Sequence, residues 1–129
     1  PVWGDDQKLI QAFLNILLNA AYAANEGGEI RIVAEFATVP SDAGEKGSVT
    51  VKIMNTGSPI DPAILNRIFD PFFTTRKEGV GLGLAITHQI VALHRGVILA
   101  ERAADFTVFA LKFPASDPMH DEKTAQTAA

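Results

Sequence analysis

Gly79-Val80-Gly81-Leu82-Gly83-Leu84-Ala85-Ile86 is the stretch that decides the fold of this chain. Glycines alternate with apolar residues and then run straight into a helical pattern. With no Cβ in the way, the alternating positions let the backbone approach a bulky anion closely. The helix that follows offers unpaired N–H groups and the positive end of its dipole. Together these make a phosphate cradle. The G-x-G-x-G spacing is not the dinucleotide G-x-G-x-x-G, nor a P-loop, because no G-K-[ST] follows. A glycine-rich helix entry without a ligand has the same local pattern, so the flanking sequence has to choose.

Immediately upstream, Phe69-Asp70-Pro71-Phe72-Phe73-Thr74-Thr75-Arg76 mixes aromatics, hydroxyls and a base. Phenylalanines at this density need a surface to rest on. Either the loop folds onto the core, or it is a mobile flap that brings Thr74, Thr75, Arg76 or Lys77 to phosphate oxygens. Downstream, Leu82 to His94 is apolar at the helical positions Leu84, Ile86, Ile90, Val91 and Leu93, and Gly96 closes it. Val97 to Glu101 and Phe106 to Phe113 read as an antiparallel pair turning at Ala103-Ala104-Asp105. From Ala115 the chain is polar and Ala/Thr-rich, the composition of a frayed tail.

Further upstream, Asp5 to Asn25 reads as an amphipathic helix. Asp5 or Asp6 suits its cap, Leu9, Phe13, Ile16, Leu17 and Ala20 follow its period, and Gly27-Gly28 ends it. Glu29 to Ala37 alternates as a half-buried strand, Thr38 to Gly47 is a polar connection, and Val49 to Met54 is a second strand. A short helix is expected over Asp61 to Phe69, with Asp61 as cap and Pro62 at its first position. Helices layered on one face of a sheet follow from this order.

Asn15 and Asn19 stand four apart on the first helix, which puts both amides on one face, one turn apart. Gln11 and Tyr22 extend the stripe, and almost everything around it is apolar. Asn is a mediocre helix former, and a buried amide without a partner costs about 1–3 kcal/mol. Either backbone groups satisfy the pair, or an amide oxygen ligates a hard cation. Mg²⁺ takes oxygen ligands, keeps several waters and is usually shared with substrate phosphates. Asn55-Thr56-Gly57-Ser58-Pro59-Ile60 ends the second strand, where ligand-binding polar groups often sit. Asn55 could accept from an exocyclic amine through Oδ1, although the same residue types also make a plain turn.

Composition narrows the classes. The 129 residues fit one domain, 47% are hydrophobic, and the net charge of −4 gives no reason to expect nucleic acid as a partner. Cysteine is absent, so neither a disulfide framework nor a thiolate metal site is available. Apolar runs are too short or too interrupted to span a bilayer, and no direct membrane contact is expected. No signal peptide opens the sequence. Starting at Pro1 without an initiator Met, the chain reads as a piece of a larger cytoplasmic protein. His88, His94 and His120 form no metal-ligand spacing, and the first two are expected on the helix surface.

In order and spacing, the Asn15/Asn19 helix, Asn55-x-Gly57, the Phe69–Thr75 loop and Gly79-x-Gly81-x-Gly83 resemble the N, G1, F and G2 boxes of the ATP-binding catalytic domain of sensor histidine kinases. That domain belongs to the superfamily shared with DNA gyrase, Hsp90 and MutL. The F-D-P-F-F-T-T-R loop with G-V-G-L-G-L-A-I is similar to the nitrogen-regulator-like kinases with a short ATP lid. The resemblance covers Asp5 to Pro114. It implies a two-layer α/β sandwich, a mixed sheet of about five strands backed by three helices. The domain would take residues 1–114, followed by a flexible tail over 115–129.

Mg·ATP would then lie between the first helix and the lid. The resemblance makes Asn19 the Mg²⁺ ligand and places Asn15 where the family's hydrolases hold a carboxylate base. Asn55 stands where the adenine-binding Asp usually is, with Gly57 and Ile60 beside it. Gly79, Val80, Gly81, Leu82, Gly83 and Leu84 would line the triphosphate, and Thr74 and Thr75 would reach it from the lid. Thr107 aligns with a Thr that helps to bind adenine. Three departures stand out. Asn55 replaces Asp, Pro59 replaces the second glycine of its box, and Tyr22 stands where many relatives carry Lys. Arg76 and Lys77 could supply the missing positive charge.

An amide at position 15 can orient a group but cannot take a proton. The expected function is therefore transfer of the ATP γ-phosphate to a histidine on a separate dimerisation and phosphoacceptor domain, with a response regulator downstream. The competing readings are an ATPase switch of the gyrase and Hsp90 type, which needs Glu at position 15, a nucleotide-free docking module, and a protein-serine kinase.

Overall fold

Asp5 starts the first helix. Its Oδ1 accepts the backbone N–H groups of Gln7 at 3.0 Å and Lys8 at 3.2 Å, satisfying two of the donors that a helix start leaves unpaired. The computed structural model describes residues 4–24, 26–42, 44–73 and 83–115. In it, α1 runs Asp6–Ala23, inside the expected Asp5–Asn25 span. Ala12, Ile16 and Ala20 are wholly buried on its inner face. Leu9, Phe13 and Leu17 lie partly buried against the core.

Four strands form the sheet: β1 (Ile30–Ser41), β2 (Gly44–Asn55), β3 (Val97–Ala103) and β4 (Phe106–Pro114). Their order is β1-β2-β4-β3 and every neighbouring pair is antiparallel. The expectation of a mixed sheet of about five strands and three helices is corrected to this arrangement among the described residues. The reason is connectivity. β1–β2 and β3–β4 are both hairpins, and joining them through β2 and β4 leaves no parallel neighbour. The α/β two-layer class stands.

The first hairpin is longer than its composition suggests. Thr38 to Gly47, expected as a polar connection, is mostly strand: Thr38 pairs with Gly47, Val39 with Lys46 and Pro40 with Glu45. β1 is an edge strand, and an edge tolerates a Pro, whose missing N–H takes no ladder bond from a neighbour. Polar side chains are equally at home there, with solvent on both sides. Conversely, the helix expected over Asp61–Phe69 is a 3₁₀ turn, Pro62–Ile64, capped by Asp61 Oδ1 on the Ala63 N–H at 2.9 Å. Successive i→i+3 bonds, Arg67 N–H to Ile64 O at 2.9 Å and Asp70 N–H to Arg67 O at 3.0 Å, carry the chain on without an α-helical ladder. Asn66 and the nearby Pro71 disfavour a longer helix.

The second helix, α2, runs Gly83–Leu93 and buries Ala85, Thr87, Ile90 and Val91. It packs against α1 and β3, while α1 also packs against β2. Beneath the helices, Ile53 of β2 and Phe109, Leu111 and Phe113 of β4 form the floor of the core with Ile98 of β3. Phe13 lies tilted on Phe113 with ring centroids 6.4 Å apart, and Phe69 meets Phe109 edge-on at 6.3 Å. Phe69 and Phe73 thus fold onto the core, whereas Phe72 stays 71% exposed.

His94 corrects its expected place on the helix surface. It is half-buried: Nδ1 donates to the Ile90 carbonyl at 2.7 Å, and Nε2 accepts the Asp5 N–H at 2.9 Å. The ring ties the end of α2 to the start of α1. His88 is exposed as expected, with its ring 5.5 Å from that of Phe69.

Candidate nucleotide site

The site is built at one end of the sheet, where β2 gives out. Asn55, the last residue of β2, is 1% exposed. Its Nδ2 donates to the Thr56 carbonyl at 2.9 Å, which fixes which end of the amide faces which way. Its Oδ1 is buried and accepts no hydrogen bond among the described residues. Such an orphan costs about 1–3 kcal/mol unless a further group supplies a donor.

Thr107 on β4 stands directly opposite Asn55 in the β2–β4 register. Opposed residues share a face of the sheet with Cβ atoms about 5 Å apart. Thr107 is also buried, and Arg102, its partner on β3, donates Nη1 to Thr107 Oγ1 at 3.3 Å. Three adjacent strands therefore carry Asn55, Thr107 and Arg102 side by side on the helix-facing side. Arg102 has no motif to reveal it, and only strand parity could have placed it beside Thr107.

Gly57 follows with φ +112°, a backbone conformation that side chains rarely adopt. A Cβ there would also run into the Ala23 carbonyl at the end of α1. The turn after β2 thus sits flush on the helix. Thr56 braces it: its N–H donates to the Glu29 carbonyl at 3.0 Å, and its Oγ1 accepts the Glu29 N–H at 2.9 Å. Ile60 packs partly buried against the core just beyond.

On α1, Asn15 and Asn19 are both half-buried on the side expected. Asn15 Nδ2 donates to the Gly83 carbonyl at 3.2 Å. Thr87, wholly buried, donates Oγ1 to the same carbonyl at 2.9 Å from one turn further along α2. Two side chains thus hold the first residue of α2, where the glycine stretch enters the helix. Thr87 was missed in the sequence; a Thr four residues after a helix start, able to bond back to the i−4 carbonyl, was the available signal. Leu84 anchors the helix entry by packing its side chain against the core. Tyr22 is exposed on α1, below Asn19. Thr74, Thr75, Arg76, Lys77, Gly79, Val80, Gly81 and Leu82 lie outside the described residues. Among the described residues, no cluster of three His, Cys, Asp or Glu side chains forms a metal site.

A buried, unpartnered acceptor at a strand end, a turn pressed onto α1, and the first residue of α2 held by two side chains make up the candidate site. The family model described as "Histidine kinase-, DNA gyrase B-, and HSP90-like ATPase" matches residues 4–117. The chain belongs to that family. Among curated members it is 35% identical over 119 residues to the sensory histidine kinase/phosphatase NtrB of Rhodobacter capsulatus, covering 88% of this chain and 34% of that protein. It therefore spans about a third of the length of the NtrB relatives it matches.

Among solved structures, the catalytic domain of histidine kinase ThkA in a nucleotide-free form matches with a TM-score of 0.74 and 33% identity, over 88% of this chain and 70% of that one. ThkA in complex with the response regulator TrrA matches with a TM-score of 0.71 and 31% identity, over 89% of this chain and 30% of that one. The family's ATPase character bears out the expectation of an ATP-binding domain of the sensor-kinase type. No described helix is long and apolar enough to cross a membrane.

Proposed function

We propose that this domain binds Mg·ATP, with adenine on Asn55 and Thr107, and delivers the γ-phosphate to a histidine on a separate dimerisation and phosphoacceptor domain. The observation that carries the reading is the unpaired Asn55 Oδ1. An adenine amino group supplies the donor it lacks. A guanine would present a carbonyl oxygen there and set two acceptors against each other. Because Nδ2 is committed to the Thr56 carbonyl, a simple amide flip to suit guanine would sacrifice that bond.

The other roles follow from chemistry and placement. Asn19 offers a neutral oxygen ligand to Mg²⁺, whose remaining positions go to phosphates and water. Gly79, Val80, Gly81, Leu82, Gly83 and Leu84 present backbone N–H groups to the phosphates. Thr74, Thr75, Arg76 and Lys77 close over them from the lid, and Arg76 and Lys77 neutralise charge that builds during transfer. Tyr22 borders the phosphate end. The unit so assigned takes residues 1–114; residues 116–129 lie outside the described residues.

Asn15 separates transfer from hydrolysis. With its Nδ2 on Gly83, it positions the helix entry, and as an amide it removes no proton from an attacking water. An imidazole needs no such help, because its nitrogen brings its own lone pair. Within this chain His94 is disqualified as acceptor, since both ring nitrogens are engaged. The receiving histidine is assigned to another domain, and a response regulator takes the phosphoryl group from it. ATP as phosphoryl donor fits a cytoplasmic setting for the domain.

The test is a nuclear magnetic resonance titration of the ¹⁵N-labelled chain with a non-hydrolysable ATP analogue and Mg²⁺. The Asn55 side-chain NH₂ and the backbone amides of Gly57 and Gly83 are expected to shift together and saturate. Absence of any shift at Asn55 and Gly57 would overturn the reading and favour a nucleotide-free docking module.

A further inference from the structure

β1 stands at the end of the sheet order, so one whole edge of a twelve-residue strand has no sheet partner among the described residues. Long edges are usually blunted, because they template pairing with another chain. This one carries apolar side chains on both faces: Ile30 is 39% exposed, Ile32 59% and Phe36 66% on the helix-facing side, with Val33 39% on the other. Pro40 interrupts the edge only near its far end. The stretch from Ile30 to Phe36 is left open.

The sequence of that stretch is matched to itself. A closed antiparallel pair of identical edges has its two-fold axis perpendicular to the sheet, and the axis then passes through one residue of each strand. Centring it on Ile32 sets Glu29 against the partner's Glu35. Centring it on Arg31 or on Glu35 sets a charge against its own copy. Centring it on Ala34 leaves Arg31 and Glu35 opposite apolar residues. Centring it on Val33 sets Arg31 against the partner's Glu35, Glu35 against the partner's Arg31, Ile30 against the partner's Phe36 and Ile32 against the partner's Ala34. Opposite charges and aromatic–β-branched pairs are the favourable cross-strand neighbours.

We infer that β1 is the docking edge for a second copy of this chain, paired antiparallel about Val33. The neighbouring charges fit this register. Glu35 already pairs with Lys52 at 3.5 Å on β2, and Arg31 with Glu29 at 2.8 Å. Arg31 also lies over the Phe106 ring, 4.8 Å from its centroid, so docking swings its guanidinium off that ring to set the row Lys52, Glu35, the partner's Arg31 and the partner's Glu29. The two sheets join into one continuous sheet with all helices on the same face. Asn55 lies on β2, opposite the Ile30 end of β1, so the two nucleotide ends point away from each other along the joined sheet.

Sedimentation equilibrium of the 129-residue chain over a wide concentration range tests this, with circular dichroism to confirm that each variant is folded. The wild-type chain is expected to pass from monomer to dimer. Arg31→Glu and Glu35→Arg each set like charges against each other twice and should each raise the dimer dissociation constant about tenfold or more. The double exchange, Arg31→Glu with Glu35→Arg, restores opposite charges in the same register and should restore the dimer. A chain that stays monomeric at every concentration overturns the inference, and so does a dimer indifferent to the single exchanges or not rescued by the double one.

Discussion

Asn55 and Thr107 stand directly opposite each other across β2 and β4, both buried, with the Asn55 acceptor unpaired and the Thr107 hydroxyl accepting from Arg102. A protein that only had to fold would gain by replacing Asn55 with an apolar residue. Retaining a buried, unpartnered acceptor makes sense if a ligand completes it.

Asn55→Leu should accordingly separate binding from folding. It removes an orphan and one bond to Thr56, so its urea midpoint is expected to change little. Affinity for an adenine nucleotide should fall at least tenfold, the equivalent of about 1.4 kcal/mol. Calorimetric titration beside urea denaturation reads both.

The Gly83 carbonyl accepts from two side chains, so removing them should not be additive. Thr87→Val and Asn15→Ala are each expected to cost about 1 kcal/mol of stability, the ordinary worth of one hydrogen bond. The double variant should cost more than their sum, because it alone leaves the carbonyl without a side-chain donor. Chemical denaturation of the four-member cycle decides the point.

Gly57→Ala should be among the most damaging small substitutions. It combines a strained positive φ, about 1–3 kcal/mol, with a collision against the Ala23 carbonyl. A loss of at least about 2 kcal/mol in urea unfolding is expected, and full wild-type stability would show that the turn does not press on α1 as described.

Incubated with labelled ATP and Mg²⁺, the chain should not phosphorylate itself. His94 has both nitrogens engaged and His88 lies against Phe69. Stoichiometric acid-labile label mapped to His88 or His94 would contradict the transfer scheme. A vigorous release of inorganic phosphate would contradict the role given to Asn15.

Much of this was legible from residue patterns. The Asp5 cap, the Ala12-Ile16-Ala20 face and the alternation at Ile53, Phe109, Leu111 and Phe113 follow local periods that packing reinforces. What the sequence hid lies where composition and geometry part. Thr38 to Gly47 looks like a loop because its residues are polar, yet an edge strand wets both faces and tolerates them. Asp61 to Phe69 has a helix cap but only 3₁₀ turns behind it. Asn15 and Asn19 were legible as two amides on one face of α1, but the bond from Asn15 to Gly83, and Thr87 beside it, exist only once two helices pack together. Asn55 read alone as a turn residue; its burial and its alignment with Thr107 depend on a register that no local pattern encodes.

The most direct measurement is isothermal titration of the wild-type chain with non-hydrolysable ATP and GTP analogues in the presence of Mg²⁺. Saturable binding of the adenine nucleotide is expected, with at least about tenfold weaker binding of the guanine one, since the adenine amino group donates to Asn55 Oδ1 where guanine presents a carbonyl. Equal affinities, or no binding of either, would contradict that expectation.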